Sequence, residues 1–207
     1  MNSERMGLPV SFYHQPTLEL ARALLGCLLV KDGSDGRTSG YIVETEAYMG
    51  ACDRAAHSFG NRRTKRTEIM FGQPGYAYVY TMHRHALLNV VSGPKQVPQA
   101  VLIRALEPAE GLELIAARRK GRKRSEWTNG PGKLTEALGI TLHDYGHDLS
   151  REPLFIAGGF SPNDIASGVR IGIQNSGDAR FKPWRFWVKG NGDVSHQRCA
   201  PPCCDAR

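Results

Sequence analysis

The feature that most constrains the fold of this chain is an apolar run that passes directly into carboxylates, YIVETEAY at residues 41–48. Its β-branched and aromatic residues predict a β-strand. Successive side chains of a strand point to opposite faces, so every second residue is expected to lie on the same face. One face would then carry Ile42, Glu44, Glu46 and Tyr48. Two carboxylates are costly to bury in a core, so this face is expected to meet either water or a polar site.

Strand-like and helix-like stretches follow one another irregularly along the rest of the chain. Strands are predicted at 27–30, 76–81, 99–108, 169–177 and 181–190, and helices over 109–120 and within 129–140. Pro108 suits the first position of a helix, where its missing N–H breaks no hydrogen bond. Without a regular strand–helix–strand repeat, the pattern indicates an α+β fold. We expect one domain over residues 1–190 and a flexible, cysteine-containing tail at 191–207.

The charge balance favours a polyanionic partner, of which nucleic acid is the most common. Lysine and arginine total 27 against 20 aspartates and glutamates, which gives a formal charge of +7. The sequence shows neither a secretory signal nor an apolar run long enough to span a bilayer. Its five cysteines do not suggest a disulfide framework. We therefore expect a cytoplasmic protein with no membrane partner.

Glu46 is a candidate general base, since a carboxylate held among apolar and aromatic groups is suited to proton transfer. Glu44 lies on the same predicted face, roughly 6.6 Å away along the strand. That spacing leaves open whether one carboxylate acts, whether both do, or whether both are solvated. Arg104 stands inside an apolar strand, where an arginine needs a partner. It would form a structural ion pair, or orient a carboxylate and a water in a site.

Aromatic and basic stretches accompany this strand. The alternating tyrosines of residues 76–80 share one face, either as core packing or as a wall on which a flat ligand stacks. The basic clusters at 62–66 and 118–124 are either solvated faces or phosphate contacts, and the first follows the glutamate strand more closely. The turn at 129–133 precedes a predicted helix, whose N-terminal amides could bind phosphate. It lacks the full P-loop pattern, which argues against a nucleotide triphosphatase.

Taken together, these stretches resemble the alkyladenine (3-methyladenine) DNA glycosylase family over about residues 12–190. The resemblance rests, in order, on ETEAY, AAH, MF..PG.AYVY, LIRALEP.EG, GPGKL and PWRFWVKG. It implies a single mixed domain with a curved, largely antiparallel sheet and surrounding helices. It also implies a monomer that acts on double-stranded DNA containing damaged purines, in the bacterial cytoplasm with the nucleoid.

The activity implied by the resemblance is that of a monofunctional DNA glycosylase of base excision repair. Such an enzyme flips alkylated or deaminated purines, of the 3-methyladenine, 7-methylguanine, hypoxanthine and ethenoadenine class, and hydrolyses the N-glycosidic bond without a cofactor or metal. Glu46 matches the glutamate that activates the water, and Arg104 matches the arginine that helps to hold it. The residues that match contacts of the flipped base are Tyr48 and His57 on its two faces, Tyr80 at the pocket edge, and Asn89, which discriminates against normal guanine.

The segment TMHRHALL at residues 81–88 departs from the family pattern. It is one residue shorter than expected and lacks the tyrosine that fills the gap left by the flipped base. Met82 or His83 is expected to insert instead, since apolar and aromatic side chains both intercalate between base steps. Contacts with DNA phosphates are expected from three further residues that match the family: Arg62, Thr64 and Lys133.

The residues alone leave two other functions open. A non-catalytic protein that binds damaged DNA would fit the altered segment at 81–88. A different hydrolase, either a glycosidase or a metal-dependent nuclease, would fit the paired glutamates. Lyase activity is not expected, because it requires an amine nucleophile and Lys65 lies in a basic loop. The tail contains residue types that bind zinc, but its terminal position favours disorder over a metal site: His196, Cys199, Cys203 and Cys204.

Overall fold

In the computed structural model, which describes residues 6–195, the chain folds around one eight-stranded sheet. The strands are β1 Leu28–Gly33, β2 Gly36–Tyr48, β3 Ala77–Met82, β4 His85–Ser92, β5 Gln99–Glu110, β6 Leu154–Ala157, β7 Ile165–Gly168 and β8 Arg185–Val188. The helices are α1 Thr17–Ala23, α2 Leu112–Arg118 and α3 Pro131–Leu138. The prediction of a single mixed α+β domain with a curved, largely antiparallel sheet is confirmed.

β2 organises the sheet because it is long enough to pair with three other strands. One edge pairs with β5 along most of its length, and the other pairs with β1 at its start and with β8 at its end. The main path of the sheet runs β3-β4-β5-β2-β1-β6, and β7 pairs with β8. All these pairings are antiparallel. Glu44 and Glu46 consequently lie in the stretch of β2 that is bounded by β5 and β8.

The main core lies where the helices cover the sheet. Leu20 of α1, Ile115 of α2 and Leu134 of α3 are fully buried and belong to one apolar cluster, together with Ile42 and Ala47 of β2. The expectation that Ile42 shares a face with the two glutamates is therefore wrong. The pairing of β2 with β5 shifts register between residues 42 and 44, and such an irregularity breaks the simple alternation of faces.

Three other expectations about individual elements are also wrong. Pro108 lies inside β5, next to a register shift in the paired strand β2, and the following helix begins only at Leu112. A proline is tolerated in a strand at such an irregular position. Residues 169–177 form turns between β7 and β8 rather than a strand. Part of the segment 82–98, which is not predicted as a strand, forms β4.

Candidate active site

One pocket gathers several of the residues that the sequence predicts for a site. Its lining includes Tyr48, His57, Tyr80, Met82, Asn89 and Arg104. Residues 171–173, in the turns that follow β7, line the pocket as well, together with Pro131 at the start of α3. Glu46 is fully buried beside the pocket and reaches it through its contacts with Tyr48 and Arg104.

The remaining predicted residues lie outside this pocket. Arg62 is exposed in the loop after the turn Phe59–Asn61, and the hydroxyl of Thr64 lies 3.2 Å from that of Thr67. His83 is exposed in the β3–β4 connection. Lys133 of α3 donates through Nζ to the Asn129 side chain at 2.7 Å. The expected phosphate contacts of Arg62, Thr64 and Lys133, and the expected insertion of His83, therefore concern the surroundings of the pocket rather than its wall.

The Glu46 carboxylate is oriented by a hydrogen bond to each of its oxygens. The backbone N–H of Ile171 donates to Oε1 at 2.8 Å, and the Tyr48 hydroxyl donates to Oε2 at 2.9 Å. The Arg104 Nη1 atom lies 3.5 Å from Oε1. Burial raises the pKa of Tyr48 well above its ordinary value, and the Glu46 charge adds to this effect. The Tyr48 hydroxyl therefore stays protonated and donates to Glu46. A carboxylate held in this way beside a pocket is positioned to take a proton from a bound water.

The Glu44 carboxylate, also fully buried, is saturated by donors from three directions. Arg185 of β8 approaches Oε1 through Nη1 at 3.0 Å, and Arg104 approaches the same oxygen through Nε at 3.2 Å. The backbone N–H of Ser195 donates to Oε2 at 2.8 Å, and its hydroxyl donates to Oε1 at 2.9 Å. Glu44 therefore anchors Arg104, whose guanidinium spans both carboxylates.

Aromatic rings form one side of the pocket. The ring centroids of His57 and Tyr80 are 4.6 Å apart, with planes at 84°, and those of Tyr78 and Tyr80 are 5.3 Å apart. The Nδ1 atom of His57 lies 2.7 Å from the Tyr78 hydroxyl. Tyr78 thus lines the pocket. It is one of the alternating tyrosines that the sequence predicts as core packing or as a stacking wall, although it is not among the residues predicted to contact the base.

His57 is neutral across the physiological range. Burial, helped by the positive charges of Arg66 and Arg62, lowers the pKa of its imidazole from 6.5 to about 4. Burial also raises the pKa of Tyr80 to about 12, and the Glu46 charge acts in the same direction. The rings that line the pocket are consequently uncharged at neutral pH, as a wall for stacking a flat ligand requires.

Asn89 is held rigidly in β4. Its side-chain amide donates to the backbone carbonyl of Tyr78 at 3.1 Å, and only 3% of the residue is exposed. This bond orients the amide at the pocket wall, because one of its donors is already used. The proposed discrimination between purines would therefore depend on a fixed polar group rather than a mobile one.

The shortened segment at 81–88 forms a tight hairpin. Met82 pairs with His85, so that His83 and Arg84 alone make the turn, with φ angles of 48° and 72°. A two-residue turn of this kind requires the left-handed region at both positions, which side chains other than glycine and asparagine rarely adopt. Of the two residues expected to intercalate, Met82 is 46% exposed and lines the pocket, whereas His83 lies in the turn.

Sequence reasoning missed the residues that support the site from distant segments. They are Ser195, which falls in the predicted tail, Arg170 and Ile171, which fall in a segment predicted as a strand, and Asp53. Residues 196–207, with the candidate zinc ligands of the tail, lie outside the described part of the chain. Within residues 6–195, there is no group of three or more histidine, cysteine, aspartate or glutamate side chains that could hold a metal ion. The same range contains no helix long and apolar enough to cross a membrane.

Comparison with known proteins gives a consistent result along nearly the whole chain. A family model described as methylpurine-DNA glycosylase (MPG) matches residues 11–192. A Bacillus licheniformis protein named "Putative 3-methyladenine DNA glycosylase" is 65% identical over 195 residues, which cover 94% of this chain and 100% of that protein. The Bacillus subtilis protein of the same name is 63% identical over the same shares. One from Listeria monocytogenes serotype 4a is 50% identical over 188 residues, 90% of this chain and 91% of that protein.

Proposed function

Because the chain belongs to the methylpurine-DNA glycosylase family, we propose that it excises alkylated or deaminated purines from double-stranded DNA by means of a Glu46-activated water. Membership of the family makes the chain a hydrolytic DNA N-glycosylase, with DNA as its substrate. The substrates that we propose are 3-methyladenine, 7-methylguanine, hypoxanthine and ethenoadenine. As an enzyme of bacterial DNA repair, it would work as a monomer in the cytoplasm, at the nucleoid.

The observation that supports this mechanism best is the arrangement of Glu46. It is a buried carboxylate with one hydrogen bond to each oxygen, at the wall of a pocket lined by neutral aromatic rings. In the proposed step, Glu46 takes a proton from water, and the water oxygen forms a bond to C1′ of the sugar. The glycosidic bond breaks, and the base leaves with its electron pair. Arg104, 3.5 Å from Glu46, would help to hold the water.

The base reaches such a pocket only when it has left the duplex, since a stacked base exposes neither its faces nor its glycosidic carbon. A flipped purine would lie against Tyr48, His57 and Tyr80. Damaged purines are the favoured substrates for two reasons. They pair poorly, which lowers the cost of flipping, and an alkylated purine is cationic, so it stacks well on electron-rich rings and leaves readily. Met82 would enter the gap in the duplex.

The test is release of free base from duplexes that contain a single hypoxanthine or alkylated adenine, compared between the unmodified chain and Glu46→Gln. We expect release by the unmodified chain and almost none by the variant, with lesion binding retained. Full release by Glu46→Gln would contradict the mechanism. Lesion binding without release by either protein would favour a non-catalytic binder of damaged DNA.

A further inference from the structure

A buried arginine that the proposed reaction does not use precedes a segment that lines the pocket. The side chain of Arg170 is fully buried and forms a double hydrogen bond with Asp53, from Nη1 at 2.5 Å and from Nη2 at 2.9 Å. The same nitrogens donate to the backbone carbonyls of Ala47 at 2.9 Å and Ala179 at 3.2 Å. Arg170 therefore joins the end of β2 to two segments that are distant in sequence.

Asp53 extends this connection toward the aromatic pocket. Its carboxylate also accepts the backbone N–H groups of Met49 and Ala55, both at 3.0 Å. These bonds fix the turn Gly50–Cys52 and the start of the loop that leads to His57. The pair of Arg170 and Asp53 thus links the segments that supply several walls of the pocket.

Arg170 also supports an aromatic residue of the site directly. Its guanidinium lies over the ring of Tyr48, 4.7 Å from the centroid, and near the ring of Trp184, 5.0 Å from the centroid. A cation placed over a ring restrains that ring and covers one of its faces. Tyr48 is the residue whose hydroxyl donates to Glu46.

The residue that follows Arg170 makes the shortest hydrogen bond to Glu46, the candidate general base. The backbone N–H of Ile171 donates to Glu46 Oε1 at 2.8 Å, and residues 171–173 line the pocket. The position of this N–H depends on the backbone of the preceding residue, which the four hydrogen bonds of Arg170 fix. Both donors to Glu46, the Ile171 amide and the Tyr48 hydroxyl, are therefore next to Arg170.

Stability alone gives little reason for a buried ion pair at this place. Taking two charges out of water costs several kcal/mol, and apolar residues of similar volume often serve equally well. Among residues 6–195, the buried Nε atom of Arg170 has no hydrogen-bond partner, which adds to the cost. What an apolar pair would not provide is the directed set of contacts to Asp53, Ala47 and Ala179.

We propose that Arg170, through its buried pair with Asp53, is a positioning residue that sets the Ile171 amide and the Tyr48 hydroxyl on the Glu46 carboxylate. The inference rests on the proposed function of Glu46. Loss of the ion pair would leave the Glu46 carboxylate less well oriented toward the water. It would therefore slow the chemical step more than it would weaken the binding of damaged DNA.

The test removes both charges together, because a single truncation would leave the other charge buried and unpaired. In the double variant Arg170→Met/Asp53→Asn, the asparagine retains one oxygen acceptor for the amides of Met49 and Ala55, which donate to different oxygens of Asp53. We expect single-turnover base release to fall by about 10²-fold, as for a misplaced catalytic group, with the Kd for a lesion duplex within about threefold of the unmodified value. Arg170→Lys keeps the charge but not the double hydrogen bond. Its rate of base release should lie between those of the double variant and the unmodified chain.

The matched control is Lys31→Met/Asp144→Asn, in which methionine replaces the cation and asparagine the aspartate of another largely buried ion pair. Lys31 and Asp144 bond to each other, and neither is among the residues that line the pocket. Both double variants are expected to lower the melting temperature, but only the Arg170 variant should slow release by folded protein. Equal slowing in the two variants, or an unchanged rate in the Arg170 variant, would overturn the proposal.

A second measurement separates this inference from the function itself. Hydrogen exchange of the Ile171 amide, followed by NMR in the protein without DNA, should be slow in the unmodified chain and in the Lys31 control. It should be fast in Arg170→Met/Asp53→Asn. Exchange that stays slow in that variant would overturn the positioning role, whereas failure of the unmodified chain to release base would contradict the proposed function.

Discussion

Glu44 and Glu46 lie two residues apart on β2, and both are fully buried, yet their surroundings differ. Glu44 binds two arginines and both donors of Ser195. Glu46 has a backbone amide, the Tyr48 hydroxyl, and an arginine at the longer distance of 3.5 Å. The first carboxylate is fully committed to neighbouring groups, whereas the second adjoins a pocket.

The difference shows that neither burial nor spacing identifies the carboxylate that acts. Both glutamates have the same exposure and belong to the same strand, but their partners assign them different tasks. Glu44 neutralises Arg185 and anchors Arg104, and Arg104 then reaches toward Glu46. A charge saturated by cations is a poor base, so we assign the proton transfer to Glu46 and the support of Arg104 to Glu44.

The largest effect on activity is expected from Glu46→Gln. Loss of a general base typically lowers a rate by about 10²–10⁴-fold, and glutamine still accepts the Ile171 amide. Stability should change by no more than about 1 kcal/mol, since no strong ion pair is broken. Single-turnover release of an alkylated base, combined with thermal unfolding, checks both parts. A large loss of stability would mean that Glu46 is mainly structural.

Glu44→Gln is expected to lower stability strongly and activity much less than Glu46→Gln does. Removing this charge leaves Arg185 without its carboxylate, and breaking a buried pair from one side costs about 3–5 kcal/mol. Denaturant unfolding should show this loss as a lower midpoint with an unchanged slope. Arg185→Met/Glu44→Gln removes both charges and should recover part of the stability. If Glu44→Gln were as stable as the unmodified chain, the saturation of Glu44 would have no energetic consequence.

A smaller effect on rate is expected from Tyr48→Phe, which keeps the ring and removes one donor to Glu46. A hydrogen bond to a charged group contributes about 1.5–3 kcal/mol, so release should slow by roughly 10- to 10²-fold. Lesion affinity should change little, because the stacking surface remains. Kinetics under single-turnover conditions and a binding titration distinguish these two effects. An equal loss in both would indicate that the Tyr48 hydroxyl contributes to lesion binding rather than to the orientation of Glu46.

The smallest effect is expected in the pH dependence of stability, through the ionisation of His57. Its folded pKa of about 4 lies below its ordinary value of 6.5, so the unfolded chain binds the additional proton between these values. The contribution of His57 to stability is therefore present above pH 6.5 and is lost as the pH falls toward 4. NMR titration of the histidine rings should show one imidazole that stays neutral until about pH 4. An ordinary titration near 6.5 would contradict the burial that we describe.

The sequence predicted the part of this comparison that depends on local pattern. The strand at 41–48 and the common face of Glu44 and Glu46 follow from residue alternation, and the motifs of the resemblance point to several of the residues that line the pocket. The partners of the glutamates could not be predicted in the same way. Ser195 lies 151 positions from Glu44, and Ile171 lies 125 positions from Glu46, so only the assembled sheet brings them together.

The wrong expectations have related physical causes. Ile42 turned to the core because the pairing of β2 with β5 shifts register beside it, and no local pattern announces such a shift. The segment 169–177 has strand-like residues, but its arginine is used to bind Asp53, 117 positions away, rather than to continue a sheet. Tertiary contacts override local preference most readily in segments that support a site.

The central claim is that Glu46, and not Glu44, is the base. The most direct test measures single-turnover release of hypoxanthine by folded Glu46→Gln and Glu44→Gln side by side, at a temperature where both are native. We expect Glu44→Gln to retain at least about a tenth of the unmodified rate, and Glu46→Gln to fall about 10²-fold or more below it. Equal rates in the two variants, or the reverse order, would contradict the assignment.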